Sequence, residues 1–411
     1  MKKINLILLL CVAAFQATGL TMAFAVDSTT ALELRILKIE KNLGLFENSN
    51  SGLNIEQRVE AIEKTIQSST QNTQTAEEPS PGGIGKITDR ISLSGAIELD
   101  YSYADDSDVS NNSVNDSTSE LDVGTVELGV EANLHEYVTA NVVLKGESLD
   151  TADRIFWDEA FFTFARDDFP IYFVGGKRTQ PFGTFESLFI NDAITQDLYE
   201  VNKTGATVGF ADEGFWGIDL SFTLYKGETL ITRVNDTGYG WTRDAGTYTP
   251  SNDVNSYIAD ISISPIQGLT LAAYFNSEPG RTDRNNTIGG SVHLELLNFI
   301  ADAEYIGALN REKNVTDNRE YKESAWFVSL GYKIIDPLIL AVRYEDFDAD
   351  QSGSDNLDYR YGFSATYTLF TDDSFTCDLM IEYRKSEYEF IPGNSTDTDL
   401  NELFARVALG F

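Results

Sequence analysis

Cysteine is nearly absent from this chain: only Cys11 and Cys377 occur in 411 residues. Two cysteines cannot build a disulfide framework. Two histidines leave no His-rich metal centre. Basic residues are scarce, with 30 Lys and Arg against 65 Asp and Glu and a formal net charge of −35. A nucleic-acid partner is excluded on that balance, because there is no cation surplus to displace phosphate counterions. Nine prolines and 31 glycines are too few for a low-complexity chain. Beyond the N-terminus no apolar run reaches the length of a membrane-spanning helix. What is present is apolar: 42% hydrophobic and 12% aromatic residues, with 25 Phe and 19 Tyr. That is too much for a disordered acidic chain.

The first segment reads as an address. Lys2 and Lys3 precede the apolar run Ile4 to Ala17, and Ala23-Phe24-Ala25 has the small-x-small form of a cleavage site. Residues 1–25 are therefore expected to be a secretory signal. Leu10, before Cys11, lacks the small side chain a lipoprotein signal needs there. Residues 26–67 carry two amphipathic helical stripes, Leu32, Ile36, Ile39, Leu43, Phe46 and then Ile55, Val59, Ile62, Ile66. A coiled coil between chains, making a homo-oligomer, and a self-packed helical hairpin both satisfy these stripes. Residues 68–88, rich in Gln, Thr, Ser and Pro, read as a flexible linker.

From Ile91 the hydrophobic period becomes two. Val126, Leu128, Val130 and Ala132 alternate with Glu127, Gly129 and Glu131; Tyr359, Tyr361, Phe363 and Ala365 alternate with Arg360, Gly362 and Ser364. A soluble sandwich also alternates. Segments of about ten residues, however, are long enough to cross a bilayer as tilted strands. Aromatics such as Tyr101, Tyr103, Phe156, Trp157, Phe215, Trp216, Tyr332, Tyr344 and Tyr388 gather at segment ends, as interfacial girdles do.

Sixteen such segments begin near residues 91, 121, 137, 155, 170, 204, 215, 254, 268, 286, 298, 321, 337, 357, 374 and 401. Their connections alternate between long and short. The expected fold for residues 89–411 is all-β, a 16-stranded antiparallel transmembrane barrel. An even strand count puts both barrel ends on the short-turn side, so the helical leader is expected in the periplasm of a Gram-negative cell, below the outer membrane. The C-terminal alternation Leu403, Ala405, Val407, Leu409, Phe411 ends on an aromatic residue, like the terminal strand of outer-membrane barrels.

The alternation assigns Glu98, Asp100, Glu127, Glu131, Asp302, Glu304, Arg343, Glu345, Arg360, Asp378, Glu382, Arg384 and Arg406 to the lumen. Arg343, Arg360, Arg384 and Arg406 fall on the last four strands, beside an acidic wall formed by Glu98 and Asp100. Two outcomes are open: a transverse field across the pore, or charges that simply pair with one another.

The connection Gln180–Lys203 is too apolar for an exposed loop. Lys177, Arg178, Pro181, Phe182, Gly183, Phe185 and Glu186 introduce it, and Leu188, Phe189 and Ile190 follow. It is expected to fold inward and constrict the pore; packing on a neighbouring barrel is the alternative.

Trp157-Asp158-Glu159-Ala160-Phe161, Gly175-Gly176-Lys177-Arg178, Pro181-Phe182-Gly183-Thr184-Phe185-Glu186, Thr125-Val126-Glu127-Leu128-Gly129 and the leading helical stripes resemble the siderophore porins of the legiobactin-uptake (LbtU) type. The resemblance implies a sixteen-stranded barrel passing ferric siderophores without an energy-coupled plug. It carries no binding residues. Residues 26–85 likewise lack the mixed core a plug needs.

Three other functions compete. Acidic loops such as Asp105–Asp108 and Asp346–Asp350 favour a general cation-preferring diffusion porin, and would also meet divalent ions bridging to lipopolysaccharide. A barrel enzyme needs a base at the rim, yet His135 falls in a short turn and His293 near the periplasmic end, so no catalysis, cofactor or metal site is expected. A structural barrel is the third.

Overall fold

The computed structural model describes residues 90–106, 117–150, 154–185, 188–214, 216–236, 251–280, 283–314, 318–351, 356–372, 375–389 and 399–411. The expected signal segment 1–25, helical leader 26–67 and linker 68–88 lie outside the described residues, as does Glu186.

Sixteen strands follow one another in chain order. They are β1 (Ile91–Asp106), β2 (Ser117–His135), β3 (Val138–Glu147), β4 (Arg154–Arg166), β5 (Phe169–Thr179), β6 (Asn202–Asp212), β7 (Ile218–Tyr225) and β8 (Ser256–Ile266). Then come β9 (Leu269–Glu278), β10 (Asn285–Leu296), β11 (Phe299–Asn310), β12 (Ser324–Ile335), β13 (Leu338–Asp348), β14 (Leu357–Asp372), β15 (Phe375–Tyr388) and β16 (Asp399–Gly410). Among the described residues two helices interrupt them: α1 (Ile194–Tyr199) between β5 and β6, and α2 (Thr229–Asp236) between β7 and β8. Each strand pairs antiparallel with its chain neighbours, and β16 returns to β1, so the sheet is a closed barrel with no free edge. At the seam Leu99 lies opposite Val407 and Asp100 opposite Arg406.

The period-two pattern explains the two faces. Leu93, Ile97, Leu99, Leu220, Phe222, Leu340, Val342, Phe363 and Ile381 are exposed on the outside. A bare apolar wall of this extent is unstable in water and suits lipid. Trp157, Trp216, Tyr332 and Tyr344 belong to this outer surface. Phe156 and Tyr388 do not join a girdle. A register shift in β4 against Val143 and Leu144 leaves Ile155 and Trp157 outside and turns Phe156 away from them. Tyr388 packs on the buried core.

That core sits inside the barrel. Phe182, Ile194, Leu198, Tyr199 and Val201 from the β5–β6 connection cluster with Leu230 and Val234 of α2. They meet inward residues Tyr274, Ile306, Ala325 and Phe347 of the wall.

Candidate pore and its inserted segments

The β5–β6 connection is built to leave the wall and cross the lumen. Gly176, still within β5, takes φ +138, where an added Cβ would stand 2.3 Å from the Ala160 carbonyl oxygen. Gln180 then clasps the base. Its backbone amide donates to the Val201 carbonyl at 2.8 Å, and its Nε2 donates to the Arg178 and Lys203 carbonyls at 3.3 and 2.5 Å. Phe182 is fully buried, edge-on to Tyr274 with centroids 5.2 Å apart.

Three inward glutamates on alternate strands hold the segment by its backbone. Glu304 of β11 accepts the Thr184 amide at 2.9 Å, the Thr195 hydroxyl at 2.5 Å and the Tyr274 hydroxyl. Glu345 of β13 accepts the Ile194 amide at 2.7 Å, which satisfies an otherwise orphaned donor in the first turn of α1. Glu382 of β15 accepts the Asn191 amide at 2.9 Å. Arg343 reaches the Asn191 and Asp192 carbonyls at 3.0 and 3.2 Å and lies 4.3 Å from the Phe189 ring centre. Ser364 donates to the Leu188 carbonyl at 2.7 Å.

The charges under this segment neutralise one another. Glu345 meets Arg360 at 2.7 Å and Arg343 at 3.3 Å; Arg360 also meets Asp197 of α1 at 3.6 Å. Burial pushes the Asp197 carboxyl above its ordinary value, against the pull of Arg360. The second helix locks onto the first. Glu278 of β9 accepts the Leu230 and Ile231 amides at 2.8 and 2.9 Å. Arg233 of α2 donates to the Asp197 carbonyl at 2.8 Å and pairs with Glu200 at 3.1 Å.

The thirteen residues assigned to the lumen therefore split into two groups. Asp302, Glu304, Arg343, Glu345, Arg360 and Glu382 face inward but are buried, Arg343 to 3% exposure and Glu382 to 0%. All but Asp302, which pairs with His293 and Ser329, contact the inserted segment, a relation alternation alone could not reveal. Glu98, Asp100, Glu127, Glu131, Asp378, Arg384 and Arg406 keep at least partial exposure. Arg406 binds both carboxylate oxygens of Asp100 at 2.7 Å and reaches Glu98 at 3.1 Å. Arg384 pairs with Glu402 at 2.7 and 3.0 Å. Asp378 accepts the Thr368 hydroxyl at 2.6 Å. All four arginines of the expected basic wall thus have carboxylate partners.

Among the residues assigned to the constriction, Pro181, Phe182, Gly183 and Phe185 belong to the inserted segment. Gly183 takes φ +95, and a Cβ there would overlap the Phe185 ring. Arg178 stays at the end of β5. Lys177 stays with the wall, its ammonium 2.5 Å from the Trp157 carbonyl oxygen and above the Phe156 ring. His293 contacts Asp302 at 2.6 Å inside the barrel, and His135 accepts the Tyr137 amide in its turn.

The far edge of the inserted segment approaches the opposite wall. Ile190 and Asn191 border a cavity of about 190 Å³ with Asp100, Ser102, Glu120, Asp122 and Arg406 of β1, β2 and β16. Asp192 is open to lumen water yet ringed by protein. Burial and the neighbouring Asp197 and Glu200 raise its carboxyl pKa, opposed by Arg233 and by Lys145 across the gap.

A closed sixteen-stranded antiparallel barrel with a β5–β6 segment across its lumen is a porin-type fold. The outer-membrane channel DcaP of Acinetobacter baumannii shares it with a TM-score of 0.54 at 14% identity, covering 77% of this chain and 96% of that one. So does an anion-selective porin from Comamonas acidovorans, with a TM-score of 0.54 at 10% identity, covering 78% and 99%. Salmonella typhi OmpF gives 0.51 at 11% identity, over 77% and 97%. No family model matches the chain. A curated relative, a UPF0422 protein of Coxiella burnetii (strain RSA 493 / Nine Mile phase I), is 28% identical over 260 residues, 59% of this chain and 53% of the relative. The chain spans about half the length of the curated relative it matches.

Proposed function

We propose that this chain is an outer-membrane channel that passes small hydrophilic solutes with a preference for cations. One observation carries the preference. Arg343 and Arg360 are buried beneath the inserted segment, and Arg384 and Arg406 are neutralised by carboxylates. The carboxylates left along the rest of the inward face, Glu127, Glu131, Asp158 and Glu159 on the wall and Asp192 on the segment, outnumber its cations Lys145, Arg178 and Lys203. Carboxylates lining a low-dielectric constriction concentrate cations and repel anions. In this reading the inserted segment sets the pore width, the short turns face the periplasm, and the outer wall meets lipid and lipopolysaccharide.

Ferric-siderophore passage, implied by the family resemblance, is the narrower reading. Pro181, Phe182 and Gly183, which carry much of that resemblance, serve here to seat the inserted segment. They support a shared pore architecture more than a chelate site.

Current through single channels in a planar bilayer, recorded while a panel of ferric siderophores is titrated, separates the two. Steady cation-preferring conductance without block is the expected result. Saturable block by one siderophore at low concentration would replace it with the dedicated-siderophore reading.

A further inference from the structure

Arg178 of β5 and Lys203 of β6 stand directly opposite each other in the antiparallel register. Cross-strand partners project to the same face, and like charges so placed repel. Among the described residues neither cation has a carboxylate within 4 Å. Among the described residues the only side-chain hydrogen bond of Arg178 is a long one to Thr207, at 3.4 Å. By contrast Arg233, Arg343, Arg360, Arg384 and Arg406, which bear on the inserted segments or line the barrel, each have a carboxylate partner.

The unpaired cations are also held in place. The side-chain amide of Gln180, itself buried to 2% exposure, donates to the backbone carbonyls of both Arg178 and Lys203. The guanidinium carbon of Arg178 lies 5.9 Å from the centre of the Phe161 ring. Thr207, which Arg178 reaches, is buried on the inward face and bonded to Thr223 at 2.8 Å. This fixes the direction of Arg178 into the lumen. Ala160 of β4 stands opposite Lys177, so the register brings Glu159 of β4 beside Arg178.

We propose that Arg178 and Lys203 form an anion-accepting subsite in the pore, which takes the carboxylate of a zwitterionic amino-carboxylate solute while Glu159 receives its ammonium group. The site rests on the channel reading and deepens it. An otherwise acidic path draws in the cationic end of the solute, and the two cations beside the base of the inserted segment hold the anionic end. A planar guanidinium presents two parallel donors to a carboxylate, and the adjacent ammonium adds a point charge.

The test uses three probes of one chain length in single-channel recordings of the full protein: 6-aminohexanoate, hexanoate and hexylammonium. The expected result is current interruption by 6-aminohexanoate at roughly tenfold lower concentration than by either singly charged probe. Arg178→Gln and Lys203→Gln each raise the 6-aminohexanoate concentration needed by about tenfold and leave the response to hexylammonium unchanged. Glu159→Gln raises it while leaving the response to hexanoate unchanged. Lys203 is exposed, so its variant tests the site even if Arg178→Gln fails to assemble. Open conductance with equal responses to the three probes, or with responses unmoved by Lys203→Gln, overturns the subsite and leaves the channel standing. A folded barrel without conductance overturns the channel reading and the subsite with it.

Discussion

Glu345→Ala is expected to release the inserted segment while leaving the barrel intact. The carboxylate, 1% exposed, accepts the Ile194 amide and lies 2.7 Å from Arg360 and 3.3 Å from Arg343. Breaking a buried ion pair from one side costs about 3–5 kcal/mol, because the partner charge stays buried. The orphaned Ile194 amide adds about 1–3 kcal/mol. Undocking lets water reach both guanidiniums and the amide, so most of this cost falls on the docked state alone. Even about 3 kcal/mol changes the docked-to-undocked ratio roughly a hundredfold. A segment undocked about 0.1% of the time would then be undocked for about a tenth of it. Wall strands keep their ladders throughout, since no strand-pairing hydrogen bond uses this side chain. Single-channel recording would show a new, larger and longer-lived conductance level, and liposome swelling would admit larger sugars. Heat-modified gel mobility, which reports the assembled barrel, should be unchanged. Wild-type conductance and size cutoff in a folded Glu345→Ala barrel would refute the idea that Glu345 pins the segment.

Other perturbations follow from the same geometry. Phe182→Ala removes a fully buried ring packed on Tyr274 and should weaken docking by about 3–5 kcal/mol, read as frequent excursions to a higher conductance level. Gly176→Ala places a Cβ against the Ala160 carbonyl at φ +138 and should abolish assembly of the β4–β5 pair, read as loss of the heat-modifiable band. The Asp197 carboxyl is raised above 3.8 in the docked state, so docking binds this proton more tightly than the released segment does. Docking should therefore strengthen as pH falls through the raised value and level off below 3.8. Opening noise that grows toward neutral pH, and is flattened at its low level in Asp197→Asn, checks the sign; noise with the opposite pH trend contradicts it.

The strands were legible because a barrel wall imposes the simplest of patterns. All sixteen observed strands begin within four residues of the starts read from alternation, the largest gap being Ser117 against residue 121. The inward course of the β5–β6 connection was legible for a related reason: Phe182, Phe185, Leu188 and Phe189 have no place in an exposed loop. What the pattern missed were relations between distant residues. Alternation placed Arg343 and Glu382 on the lumen face but could not show a segment lying on top of them, about 150 and 190 residues away in the chain. Thr229–Asp236 passed unnoticed because α2 is held by Glu278 and Arg233 and has no long stripe of its own. Phe156 was misplaced by a register shift, since one extra residue reverses the facing of those beyond it. The unpaired Arg178 and Lys203 could have been suspected only after the β5–β6 register was known.

The most direct test is the reversal potential of the unmodified channel in a planar bilayer under a potassium chloride gradient. A potential of the sign set by potassium flow, shrinking as overall salt screens the lining carboxylates, is the predicted result. A potential near zero, or of the sign set by chloride, would contradict an acidic path along the exposed inward face.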